Sequence, residues 1–89
     1  MKRVENIIFT KHFRRSFRKI SIGNRVGFEK KYEIFCKDIF DPQLKTHKLR
    51  GMKNCWSFSV DFSTRAIFRL ENDTVTFLEI GDHSVYDLM

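Results

Sequence analysis

Two hydrophobic periods divide this chain. Val4 to Phe9 reads as a short strand, and from Thr10 the apolar residues Phe13, Phe17 and Ile20 recur at i, i+4 and i+7, the spacing of a helix that Thr10 can cap. A turn over residues 21–24, centred on Gly23, is predicted to end that helix. A second helix follows through Phe28, Tyr32, Phe35 and Ile39, and Asp41-Pro42 is expected to stop it, because proline lacks an amide donor and restrains the residue before it. From His47 the period becomes two. Trp56, Phe58, Val60 and Phe62 alternate with Ser57, Ser59, Asp61 and Ser63, the pattern of a strand with one buried and one wet face. Ala66, Phe68 and Leu70 oppose Arg65, Ile67 and Arg69 on the next strand. Glu71-Asn72-Asp73 then turns the chain into Val75 to Ile80. Gly81-Asp82 ends that strand ahead of a short helical turn expected over Ser84 to Leu88. The pattern predicts an α+β fold: an N-terminal strand and a helical hairpin on one side of a mainly antiparallel sheet, with three strands in the second half.

With 89 residues the chain has room for a single domain with one modest core, and ten phenylalanines, a tryptophan and two tyrosines supply bulky area to fill it. Charge adds an asymmetry that the pattern does not show. Residues 1–53 carry 15 Lys/Arg against 5 Asp/Glu, and residues 54–89 carry 2 against 6. A basic front half attracts a polyanion or an acidic protein. Lys11, Arg14, Arg15, Arg18 and Lys19 crowd the outer face of the first helix with no acid four residues away, so they are either solvated or face a partner. No stretch approaches the roughly 18 to 20 apolar residues of a membrane span, and Met1-Lys2-Arg3 does not lead into a signal-peptide core. Cys36 and Cys55 sit in apolar contexts without metal-like spacing, as buried free thiols of a reducing cytoplasm would.

The order of strand, two helices and three strands carries a set of short motifs: Leu44-Lys45-Thr46-His47-Lys48-Leu49-Arg50-Gly51, Trp56-Ser57-Phe58-Ser59-Val60, Arg65-Ala66-Ile67-Phe68 and Ile80-Gly81-Asp82-His83-Ser84-Val85-Tyr86. In order and spacing this resembles the RelE/ParE toxin superfamily, closest to its YafQ-like and RelE/StbE-like branch. The resemblance implies a single small RelE-like domain over residues 1–89 and a cytoplasmic toxin of a type II toxin-antitoxin pair. It further implies hetero-oligomerisation with a cognate antitoxin, and cleavage of mRNA in the ribosome without a metal or other cofactor.

Such cleavage needs a base for the 2′-hydroxyl proton, a cation for the charge gathering on phosphate and an acid for the leaving oxygen. By the resemblance, Arg65 matches the phosphate-binding strand arginine, and its planar fork suits two phosphate oxygens. His83 falls where the YafQ-like branch carries its catalytic histidine. Tyr86 occupies the C-terminal aromatic position, and His47 matches a further histidine of that branch. Lys48, Arg50 and Lys53 around His47, Arg69, and Lys11, Arg14, Arg15 and Arg18 on the first helix are expected to hold RNA. The departures are equally specific. Ser57 and Ser59 stand where RelE itself has lysines, and the YafQ-like histidine and aspartate of this stretch fall about where Ser59 and Ser63 stand. Two other functions therefore stay open: a toxin of this fold that inhibits DNA gyrase without cutting RNA, and a catalytically degenerate protein that binds RNA or antitoxin. Arg65 also has an ordinary reading, as a strand arginine paired with Glu79.

Overall fold

The computed structural model describes residues 4–82. Its elements are β1 (Asn6–Phe9), α1 (Lys11–Lys19), α2 (Ile22–Lys37), a 3-10 turn (Pro42–Leu44), β2 (His47–Lys48), β3 (Cys55–Ser59), β4 (Arg65–Glu71) and β5 (Thr74–Gly81). Five strands form one sheet in the order β1-β5-β4-β3-β2. β1 lies parallel to β5, and every other neighbouring pair is antiparallel. The expected α+β architecture is the one found. The second half holds four strands rather than three, because His47 and Lys48 pair with Ser57 and Trp56 over two residues only, too few for an alternation to reveal.

The local signals explain most of the helical boundaries. Thr10 caps α1, its Oγ1 accepting from the Phe13 amide at 3.0 Å and donating to the Phe77 carbonyl at 2.8 Å. One side chain thus starts the helix and fastens it to β5. The predicted turn over residues 21–24 is shorter than expected. Ser21 already caps α2, its Oγ accepting from the Asn24 amide at 3.1 Å, so Gly23 lies inside the first helical turn. The second helix ends at Lys37, before Asp41-Pro42. Asp38 turns extended at φ −159°, and its amide donates to the Ile34 carbonyl at 2.9 Å. Ile39 still reaches the core from outside the helix. Pro42 instead opens the 3-10 turn, which Asp41 caps by accepting from the Gln43 amide at 2.8 Å.

The core lies between the helices and one face of the sheet. Phe13, Phe28 and Phe35 from the helices meet Phe58, Phe68 and Phe77 from the strands. Phe35 sits 5.1 Å from Phe58, 5.0 Å from Phe68 and 5.3 Å from Phe77 between ring centroids, and Phe77 stacks on Phe9 at 5.2 Å. These separations are those at which aromatic pairs attract beyond the area they bury.

The strand pattern fails at both ends of its predicted stripe. Phe62, expected inside, is 98% exposed, and Ser57, expected wet, is 0% exposed. β3 stops at Ser59, and Asp61 Oδ1 then accepts from the amides of Ser63 and Thr64 at 2.9 and 2.8 Å, a tight turn that carries Phe62 out of the alternation. Ser57 is covered because it sits in register between His47 of β2 and Ile67 of β4. Between Ile67 and Phe68 the β4–β5 register slips, their partners being Glu79 and Phe77, so β5 carries Leu78 as an extra residue.

Candidate functional site

Arg65 opens β4, paired with Ser59 on one side and Gly81 on the other. Its side chain is half-buried, and its Nε is enclosed without a hydrogen-bond partner among the described residues. Pairing with Glu79 does not occur. That carboxylate stands in register with Ile67 and is held by His12 Nε2 and by the Ile80 amide.

Around Arg65 the fold gathers Lys31, Gln43, Lys45, Ser59, Asp61 and Phe62 into a cleft of about 350 Å³. α2 contributes Lys31, whose Nζ donates to the Gln43 carbonyl at 3.0 Å and so ties the helix to the 3-10 turn. Lys45 follows that turn in the left-handed region, φ 53°, its amide donating to Pro42 O at 3.3 Å. Ser59 Oγ donates to the Asp61 carbonyl at 2.9 Å. Asp61 stays ionised: burial raises its pKa, but the Ser63 and Thr64 donors outweigh that and hold it below the ordinary carboxylate value. Its Oδ1 is occupied by those amides. Three cations against one engaged carboxylate leave the cleft positive.

His47 lies in a separate cleft of about 420 Å³ with Lys48, Leu49, Arg50 and Met52. Its Nδ1 is 3.2 Å from the Lys45 carbonyl and its Nε2 is 3.3 Å from Ser57 Oγ. These contacts hold the ring between the Lys45 carbonyl and the Ser57 hydroxyl. His47 and Arg65 both lie on the sheet, with β3 between the strands that carry them. Lys53 is exposed in the loop before β3 and lines neither cleft. Arg69 lies at the far end of β4 from Arg65, with Nε 2.8 Å from Glu71 Oε1. That contact is out of line for a hydrogen bond, so it is an ion contact in a half-exposed setting.

The α1 cations are exposed on the helical layer. Arg14 and Arg18 border a third cleft, floored by Phe9, Phe13, Phe17 and Phe28, and do not converge with Arg65 or His47. His83 and Tyr86 lie outside the described residues. Gly81, the last residue of β5, is the partner of Arg65 and lies two positions before His83. Tyr32 is pushed up to about 12 by burial and by its hydrogen bond with Cys36, which keeps it protonated and structural. Burial likewise raises the Cys55 thiol, leaving it inert. Among the described residues no cluster of His, Cys, Asp or Glu is placed to hold a metal, and no helix is long and apolar enough to cross a membrane. Lys31 and Lys45 were not anticipated from the sequence. One is a lysine on a helix and the other follows a proline turn, and neither position carries a periodic signal.

No protein-family model matches the sequence, and no curated protein matches it. Solved structures do. A chain of the RelB-RelE antitoxin-toxin complex from Methanococcus jannaschii superposes with a TM-score of 0.76 at 18% identity, over 92% of this chain and 98% of that one. The chain has the RelE toxin fold. The YoeB/ParE toxin from Agrobacterium tumefaciens superposes with a TM-score of 0.74 at 13% identity, over 89% of this chain and 99% of that one. YafQ from E. coli follows with a TM-score of 0.69 at 16% identity, over 96% and 98%. The RelE-like fold thus extends from end to end of its structural neighbours, and at these identities the likeness is one of architecture.

Proposed function

We propose that this protein is the toxin of a type II toxin-antitoxin pair and cuts mRNA in the ribosome without a metal. The observation that carries the reading is Arg65: on a RelE-like fold it opens β4 and lines a cleft together with Lys31 and Lys45. In the reaction a base takes the proton of a 2′-hydroxyl and the freed oxygen bonds to the adjacent phosphorus. The bond from phosphorus to the 5′-oxygen then breaks as an acid protonates that oxygen, leaving a 2′,3′-cyclic phosphate. Arg65 steadies the extra negative charge on the phosphate oxygens. His83 moves the proton, with Tyr86 and His47 assisting. The antitoxin partner is supported by neighbours of the same fold solved in antitoxin complexes, RelB-RelE and DinJ-YafQ.

The test is induced expression in a bacterial host lacking antitoxin, with the 5′ ends of cellular mRNA mapped for the wild type, Arg65→Ala and His83→Ala. Growth arrest with new cleavage sites is expected for the wild type, and both substitutions should abolish the cuts at equal protein level. Arrest without cleavage would replace this reading with the gyrase-type toxin, and absence of arrest with the degenerate binding protein.

A further inference from the structure

Phe62 is 98% exposed at the tip of the β3–β4 turn, and it lines the same cleft as Lys31, Lys45 and Arg65. It has no ring neighbour among the described residues, although the core beside it is built of packed aromatic rings. A phenylalanine in that position gives up the stabilisation that burial would bring. The exposure is not fraying. Asp61 fixes the turn through the amides of Ser63 and Thr64, and the Val60 amide closes it on the Thr64 carbonyl at 2.8 Å. A flat apolar ring is therefore held out to solvent beside three cations that come from three separate elements.

We infer that this cleft seats one nucleotide of a single-stranded RNA, with its phosphate among Arg65, Lys45 and Lys31 and the neighbouring base stacked on Phe62. The inference deepens the proposed RNA cleavage at the same site and rests on that reading for the choice of RNA. Single-stranded nucleic acid presents phosphate charge and aromatic faces in alternation, and proteins that hold it pair a cationic track with exposed rings. Arg65 lines the cleft, and its planar guanidinium suits phosphate oxygens. Lys45 adds positive charge to the cleft where Ser59, which also lines it, brings none. A phenyl ring stacks on any base and reads none, so the site distinguishes stacked single strands from duplex rather than one sequence from another.

The experiment is fluorescence anisotropy with a labelled single-stranded RNA carrying 2′-O-methyl groups throughout, which binds but is not cut. A second probe has the same backbone without bases. For the intact RNA, Phe62→Ala should weaken binding about fivefold to a hundredfold without changing its salt dependence. For the abasic probe, Phe62→Ala should bind like the wild type. Lys45→Ala should weaken both probes alike and lower the slope of log affinity against log salt by about 0.7. Wild-type binding to neither probe, or a Phe62→Ala variant indistinguishable from wild type on the intact RNA, would overturn the inference. So would an equal loss on both probes. These outcomes are separable from the fate of the proposed function. Cleavage and arrest with unaltered Phe62→Ala binding would leave the nuclease standing and remove the stacking site, whereas the expected binding pattern without arrest would leave the site standing in a protein that does not cut.

Discussion

Glu79 is the charged residue that lies fully inside among the described side chains, and it is there because its hydrogen bonds replace water. Burial raises its pKa, but donors from Ser16, His12 and the Ile80 amide outweigh that and leave it below the ordinary carboxylate value. A carboxylate whose folded pKa is depressed adds stability that is fully present above its unfolded value. That contribution is lost as pH falls through the folded one. The urea midpoint of the wild type should therefore drop as pH goes below about 4.5, the ordinary value of this group. In Glu79→Gln that part of the decline should be absent, so the gap between the two proteins narrows on acidification. A constant gap from pH 6 to pH 3 would show that the buried carboxylate is not the titrating group. The sequence did not single out His12, whose partner lies 67 positions away.

At the scale of elements, the helix ends test the difference between propensity and punctuation. Gly23 looked like a breaker, yet it occupies the first turn of α2, where a methyl group would meet only Ser21 Oγ at 3.9 Å. Gly23→Ala should therefore raise stability by about 0.5–1 kcal/mol, measured by urea unfolding, through the lower entropy of the unfolded chain. Thr10→Ala should act the other way. It removes the α1 cap and the bond to the Phe77 carbonyl together, a loss of about 1–2 kcal/mol. The sequence announced Thr10 because a capping residue immediately precedes an i, i+4, i+7 stripe. It misled at Gly23 because Ser21, two residues earlier, wins the cap by accepting the Asn24 amide.

Across the whole molecule, stability and the proposed chemistry rest on different residues of neighbouring elements. Phe35 joins α2 to β3, β4 and β5 through Phe58, Phe68 and Phe77. Phe35→Ala should cost about 3–5 kcal/mol, a large part of what a domain of this size possesses, and should abolish growth arrest by unfolding the protein. Arg65→Ala should abolish arrest with the thermal transition almost unmoved. Circular dichroism melts of the two variants beside the growth assay distinguish lost folding from lost chemistry.

The α+β class, the helix pair and most of the core phenylalanines, though not Phe40 or Phe62, were present in the order of residues, whereas the candidate role of Arg65 came from the family resemblance. Apolar periods of 3.6 and 2 are local, and each needs only its own segment to be read. What the sequence left undecided depended on residues brought together from far apart. β2 exists only as the two-residue partner of β3, and Ser57 is buried only because β2 and β4 flank it. Phe62 leaves the core because Asp61 turns the chain one residue before it, and Lys31, Lys45 and Arg65 share a cleft only after α2, the 3-10 turn and β4 have packed. Periodicity records which way a side chain points along its own element. Which charges converge on one anion is a property of the distances between elements, and those were set when the sheet and helices closed on a common core.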